Sequence, residues 1–219
     1  MQFRMQDGAT AEVAIERLVI AGWAGRDAAA VAHHIAELEA IGVAPPSRTP
    51  LFYRAGTNLL TAAPAIEVVG EGTSGEAEAV LVACDDGLFV GLGSDHTDRE
   101  AEALSVALSK QLCPKPLAPE LWPHDAVADR WDCLTLRSWA VIDGTRQPYQ
   151  EGTLADLLPP QALLRAAGGL ARGSVLFCGT LPVIGGIRPA TRFEMELHDP
   201  VADRRIFHAY DIEPLDVVS

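Results

Sequence analysis

The chain has 219 residues, 48% hydrophobic and 21% charged, and its 30 Asp and Glu against 17 Lys and Arg give a formal net charge of −13. That is enough apolar sequence to bury a large core without staples, and it argues against disorder, collagen-like repeats and linker-dominated sequence. Clustered Lys and Arg are lacking, no run approaches the ~18 apolar residues of a membrane span, and residues 1–7 lack a signal-peptide core; a cytoplasmic protein without nucleic-acid or membrane partners is expected.

Residues 2–23 show short β-like apolar runs, Phe3 and Met5, Val13 and Ile15, then Leu18 to Ile20, and predict two strands. Asp27 is placed to cap a helix over 28–41, which Gly42 stops, and Pro45 and Pro46 close the unit. A strand at 51–54, a turn at Gly56 and an apolar stretch at 66–69 lead into a Gly-rich link over 70–75. The runs 77–83 and 88–92 flank a Cys-Asp-Asp-Gly turn and predict a β-hairpin. Residues 98–112 predict one helix, with Ala101, Leu104, Ala107 and Leu108 as its apolar stripe and Lys110 in its last turn. The Pro-rich stretch 113–123 is extended or looped; a strand at 133–142, a helix at 160–167 and strands at 174–178, 192–197 and 205–210 follow. Strands outnumber helices and few βαβ units are evident, which predicts a single α+β domain with a mixed or largely antiparallel sheet. Cys84, Cys113, Cys133 and Cys178 form no CxxC pair and are expected as thiols buried as small hydrophobes.

Three features bear on chemistry. Glu76 and Glu78 stand two apart at the start of an apolar strand, so their side chains share a face. Two carboxylates there form either a solvated strand end or part of an oxygen-ligand site for a divalent cation, with Asp95, just beyond the partner strand, as a third ligand. His34 and Glu37, or His33 and Glu37, share a helix face; such a pair is an ordinary surface contact or a carboxylate-oriented general base. Lys110 by itself is a helix C-terminal charge.

The order of these features resembles the fumarylacetoacetate hydrolase superfamily over most of the chain. His34-Ile-Ala-Glu37 matches its His-x-x-Glu, and Pro50-Leu-Phe-Tyr-Arg54 its strand ending in a basic residue, where the family usually has Lys. Glu76-Ala-Glu78 matches its Glu-x-Glu, Ser94-Asp-His-Thr-Asp-Arg-Glu100 its Asn-Asp-Val-Ser-x-Arg-Asp, and Lys110 its Lys after a helix. Residues 134–156 are similar to its strand, Asn-Gly turn and Thr-x-x-Met segment, and 170–180 to its Pro-Gly-Asp-Val-x-x-Thr-Gly-Thr strand.

The resemblance implies a mixed β-sheet roll or sandwich of the fumarylacetoacetase C-terminal-domain type with a few peripheral helices. It implies one domain over 1–219, with a strand and lid-helix segment over about 1–50 and the catalytic roll over about 51–219. Glu76, Glu78 and Asp95 would hold Mg2+ or Mn2+; His34 with Glu37 would activate water, with His33 as the alternative base; and Lys110 would neutralise developing charge. Arg54, Arg99 and Thr180 would contact the substrate, a small 2-oxo or β-dicarbonyl acid whose carbon–carbon bond is hydrolysed. Decarboxylases, hydratases and isomerases occur on the same scaffold, and a non-catalytic metabolite-binding protein is a further alternative. A homodimer is the family's usual assembly, with Trp122 or Trp131 available to an interface if not in the core.

Overall fold

The structure, a computed structural model, describes residues 1–40 and 44–218. Thirteen strands of three or more residues make up two sheets: β1 (Gln2–Met5), β2 (Thr10–Glu12), β3 (Arg17–Gly22), β4 (Leu51–Ala55), β5 (Ala65–Val69), β6 (Ala77–Cys84), β7 (Gly87–Ser94), β8 (Glu120–Pro123), β9 (Thr135–Ile142), β10 (Thr145–Thr153), β11 (Ser174–Thr180), β12 (Arg192–Asp199) and β13 (Arg204–Leu215). The larger sheet runs β2-β1-β8-β7-β6-β11-β3-β4 and the smaller β10-β9-β12-β13-β5. Both are mixed: β1–β8, β11–β3 and β13–β5 pair parallel, and the remaining pairs are antiparallel. Among the described residues four α-helices, α1 (Ala28–Ala40), α2 (Arg99–Leu104), α3 (Val106–Leu112) and α4 (Pro160–Ala167), lie outside the sheets. The class is α+β. Among the described residues no helix is long and apolar enough to cross a membrane.

Strand periodicity explains the layers. On β12 alternate residues Phe193, Met195 and Leu197 are buried, and this face of the smaller sheet packs on Ala79, Leu81, Val90, Leu92 and Leu176 of the larger one. The opposite face of the larger sheet carries a second apolar cluster, with Leu18, Ile20, Val80, Val82, Val175 and Phe177. Strand β6 is therefore buried on both faces along most of its length, and reads as the continuous apolar run its sequence shows.

The hairpin expected around Cys84 to Gly87 forms, and Asp27 Oδ1 accepts from the N–H groups of Ala29 and Ala30 at 2.8 and 3.2 Å, as a cap should. The expected end of α1 at Ile41 and Gly42 lies outside the described residues. Residues 2–23 form three strands rather than two, because Thr10–Glu12 pairs with β1 as a short edge. The single helix expected over 98–112 is two. Ser105 adopts extended backbone (φ −162°) and its side chain caps α3, accepting from Leu108 N at 3.3 Å. The break turns Ser109 and Lys110 inward and leaves Leu104 85% and Leu108 48% exposed, so the proposed apolar stripe is not a core face. Trp122 and Trp131 are both buried and are unavailable to an interface. Of the cysteines, Cys113 and Cys178 are buried as expected, Cys84 is half-buried, and Cys133 is exposed because it ends a 3-10 turn before β9.

Candidate metal centre

The hairpin register places Glu78 opposite Gly93 on β7, so Asp95, two residues beyond Gly93, folds back beside the glutamates; its N–H donates to Glu76 O at 2.9 Å. One carboxylate oxygen from each of Glu76, Glu78 and Asp95 falls within 4.8 Å of the others. Glu78 and Asp95 are only 2% and 1% exposed. On the third side, β11 bulges between Phe177 and Thr180, and Gly179 N–H donates to Glu78 Oε2 at 2.6 Å. Gly179 has φ +98°, a backbone state that L-residues avoid, and a Cβ there would meet Ala24 Cβ at 2.8 Å.

Cations from the following segment ring the cluster. Lys110 Nζ lies 2.6 Å from Asp95 Oδ2 and 3.1 Å from Glu76 Oε2, Lys115 Nζ lies 3.0 Å from Asp95 Oδ1, and Arg99 Nη1 bridges Glu76 at 3.0 Å and Glu102 at 2.7 Å. Burial opposes the charge on Lys110, but Asp95, Glu76 and Glu102 outweigh it and raise its pKa, and Arg99 is raised in the same way by Glu76 and Glu102. Burial also works against ionisation of Asp95, yet Lys110 and Lys115 prevail and lower its pKa. Glu78 differs: burial, then the charges of Asp95 and Glu76, push it well above the carboxylate range.

The donor set fits a hard divalent cation. All three potential ligands are carboxylates. Both Asp95 oxygens are buried, Oδ2 held by the Lys110 ammonium and Oδ1 by that of Lys115. Four carboxylates, Glu102 included, face three basic side chains, and with Glu78 driven toward its neutral form the charges balance; a cation bound here would instead favour ionised Glu78.

Behind the ligands a buried chain of hydrogen bonds sets the backbone. Tyr210 OH donates to Ser94 Oγ at 2.8 Å, and Ser94 Oγ accepts from Glu76 N at 3.2 Å. Tyr210 OH then accepts from His96 Nδ1 (3.0 Å), and His96 Nε2 accepts from Thr73 Oγ1 (2.9 Å), which assigns a neutral Nδ1–H imidazole. Burial, with Lys115 and Arg99 nearby, lowers the His96 pKa to about 3.

The remaining expected site residues are dispersed. Thr180 pairs with Glu78 across β6–β11, but its hydroxyl donates to Ala77 O at 2.9 Å and accepts from Gln150 Nε2 at 2.6 Å, so its proton is already committed to the protein. Arg54 faces away. Side chains alternate along β4, Tyr53 occupies the face toward Lys110 and Asp95, and Arg54 projects from the other face of the sheet. His34 and Glu37 sit exposed on α1, where Glu37 is reached both by His33 Nε2 at 3.2 Å and by His34 Nδ1 at 3.5 Å. The helix touches the centre's border through Trp23, whose ring centroid is 6.0 Å from that of His34 and whose Nε1 donates to Tyr53 OH at 3.4 Å. Lys115, Glu102 and the His96–Tyr210 pair were not anticipated. Glu102 was legible as an i,i+3 partner of Arg99, whereas Lys115 lies in a Pro-rich stretch with no periodic signal.

A family model described as "Protein of unknown function (DUF2848)" matches residues 21–210. The chain belongs to the DUF2848 family. No curated protein matches it. Among solved structures, this DUF2848 chain is similar to Cg1458, with TM-score 0.67 at 14% identity over 93% of this chain and 78% of that one. It is also similar to maleylpyruvate hydrolase from Sphingobium sp. SYK-6 in complex with manganese(II) and pyruvate, with TM-score 0.63 at 17% identity over 92% and 71% of the chains. A third similar structure is 2-keto-3-deoxy-D-arabinonate dehydratase complexed with magnesium and 2,5-dioxopentanoate, with TM-score 0.60 at 16% identity over 93% and 75%. The DUF2848 chain thus has the fold of the fumarylacetoacetase C-terminal domain.

Proposed function

We propose that the chain is a divalent-metal-dependent enzyme acting on a small 2-oxo or β-dicarbonyl acid, and that its reaction is hydrolysis of a carbon–carbon bond. The observation that carries this reading is the convergence of Glu76, Glu78 and Asp95 within 4.8 Å of one another at a buried point. These three residues would hold Mg2+ or Mn2+, which supplies Lewis-acid polarisation of a chelating oxo acid. The similar hydrolase and dehydratase, with their manganese and magnesium and their oxo-acid ligands, support the same choice of ion and substrate class.

The chain's own groups supply the rest. Lys110 stays protonated and faces the centre, so it offsets negative charge that develops on the substrate oxygens. Arg99 has a buried Nη2 without a partner, beside Glu76, and this free donor suits the substrate carboxylate. His34, oriented by Glu37 and backed by Trp23, would take the proton of the attacking water when α1 closes over the centre.

The exposure of that dyad favours a second reading, in which the same centre runs a decarboxylation or isomerisation, which needs no activated water, or a hydration whose water the metal would activate in place of the dyad. Turnover of a panel of acylpyruvates and 2-oxo diacids, with metal-free protein reconstituted with Mg2+ or Mn2+, separates the two by product. Alanine at Glu76 or Asp95 should abolish both metal binding and turnover; retention of both would refute the assignment.

A further inference from the structure

On the face of the large sheet opposite the carboxylate cluster, β11, β3 and β4 present a row of side chains in register. Ser174 pairs with Arg17, Leu176 with Val19, and Val19 with Arg54, so Ser174, Arg17 and Arg54 point the same way from three adjacent strands. Arg48, from the segment before β4, completes the group around a cleft of about 150 Å³ whose apolar walls include Phe52 and Leu170.

Two observations set this cleft apart. Five of the fifteen arginines have no carboxylate within ion-pair distance among the described residues, and three of those five, Arg17, Arg48 and Arg54, line this one cleft. In a chain of net charge −13 with 30 carboxylates to choose from, three exposed guanidinium groups thus line one cleft with no carboxylate partner. The second observation is independent: Ser174 is fully buried, and its hydroxyl has no hydrogen-bond partner. Buried hydroxyls are ordinarily satisfied, and an unmade bond is costly.

We propose that this cleft binds a small organic anion carrying two or more negative charges, a dicarboxylate or a phosphate monoester, at a site separate from the metal centre. Planar guanidinium groups grip carboxylate or phosphate oxygens in bidentate fashion, Ser174 supplies a neutral donor at the floor, and Phe52 and Leu170 cover a short carbon body. The volume holds roughly five waters' worth of ligand, which limits the occupant to a small metabolite.

Calorimetric titration of the full chain, stripped of metal on a chelating resin, with succinate, inorganic phosphate and acetate at constant ionic strength tests this. One equivalent of succinate or phosphate should bind saturably, and acetate at least tenfold more weakly. Tighter binding of phosphate assigns a phosphorylated ligand, and tighter binding of succinate a dicarboxylate. Arg17→Gln and Arg54→Gln should each weaken binding at least tenfold, Arg54→Lys by less, and Ser174→Ala severalfold. Without ligand both glutamine variants should unfold within a degree or two of the wild-type temperature, because each arginine is exposed and makes no ion pair, so loss of folding does not confuse the result. Glu76→Gln should bind the anion as wild type does. The proposal fails if no probe saturates, if Arg54→Gln binds as tightly as wild type, or if Glu76→Gln abolishes binding, which would place the anion at the metal centre.

Discussion

Gly179 donates its N–H to Glu78 Oε2 at 2.6 Å, tying the more buried of the two glutamates to the bulge that ends β11. Only glycine takes φ +98° there without strain, and a methyl group would press on Ala24. Gly179→Ala should therefore cost about 1–3 kcal/mol in denaturant unfolding. It should also weaken Mn2+ binding by about tenfold or more, since it displaces a group that orients a ligand. Unchanged metal affinity in a destabilised variant would separate the bulge from the centre.

Lys115 is wholly buried against Asp95 and also donates to His96 O. Lys115→Met keeps the volume and removes the charge. Breaking such a buried pair should lower the stability of metal-free protein by about 3–5 kcal/mol. Mg2+ should recover part of that loss, so the metal-induced rise in melting temperature should exceed that of wild type. An equal rise in both proteins would show that the lysine and the ion do not share Asp95 electrostatically.

Asp199 governs the acid limb of stability. Hydrogen bonds from Arg130, together with Ala202 N–H and Arg204, overcome the effect of burial and hold its carboxyl well below the usual range. Well above the unfolded-chain pKa of about 3.9 the stabilisation is complete; as pH falls below that, the unfolded chain takes up a proton that the folded chain refuses, and stability declines toward the lower folded value. Asp199→Asn should lose about 2 kcal/mol at neutral pH and show a shallower decline below about pH 4 in urea titrations.

His33 and His34 both reach Glu37, and the proposed hydrolysis distinguishes them, since only His34 is backed by Trp23. His34→Ala should reduce hydrolytic turnover about 100-fold or more, with metal binding intact, whereas His33→Ala should have little effect. Equal, small effects would favour the reaction classes that need no base on α1.

Leu104 is 85% exposed because the helix breaks at Ser105. Leu104→Lys should change stability by no more than about 0.5 kcal/mol. A loss of several kcal/mol would mean that this side chain is covered in solution.

The local pattern was sufficient for the strands whose faces alternate or are wholly apolar, for the Asp27 cap and for helix α4, because side-chain period and capping chemistry act over a few residues. It also sufficed to put Glu76 and Glu78 on one face and Asp95 just past the hairpin, since a tight turn fixes register. The break at Ser105 was not legible, because serine tolerates a helix interior and becomes a cap only when the next turn must swing Lys110 inward. Nor was Lys115, or the path from Thr73 through His96 and Tyr210 to Ser94, which joins residues far apart in the chain. Strand period and a tight turn were enough to say which carboxylates could meet. Which cations oppose them, that Arg54 faces the other side of the sheet, and that it stands there with Arg17 and Arg48 came from the folded molecule, because burial and charge partners are set by sheet order and not by neighbours in the chain.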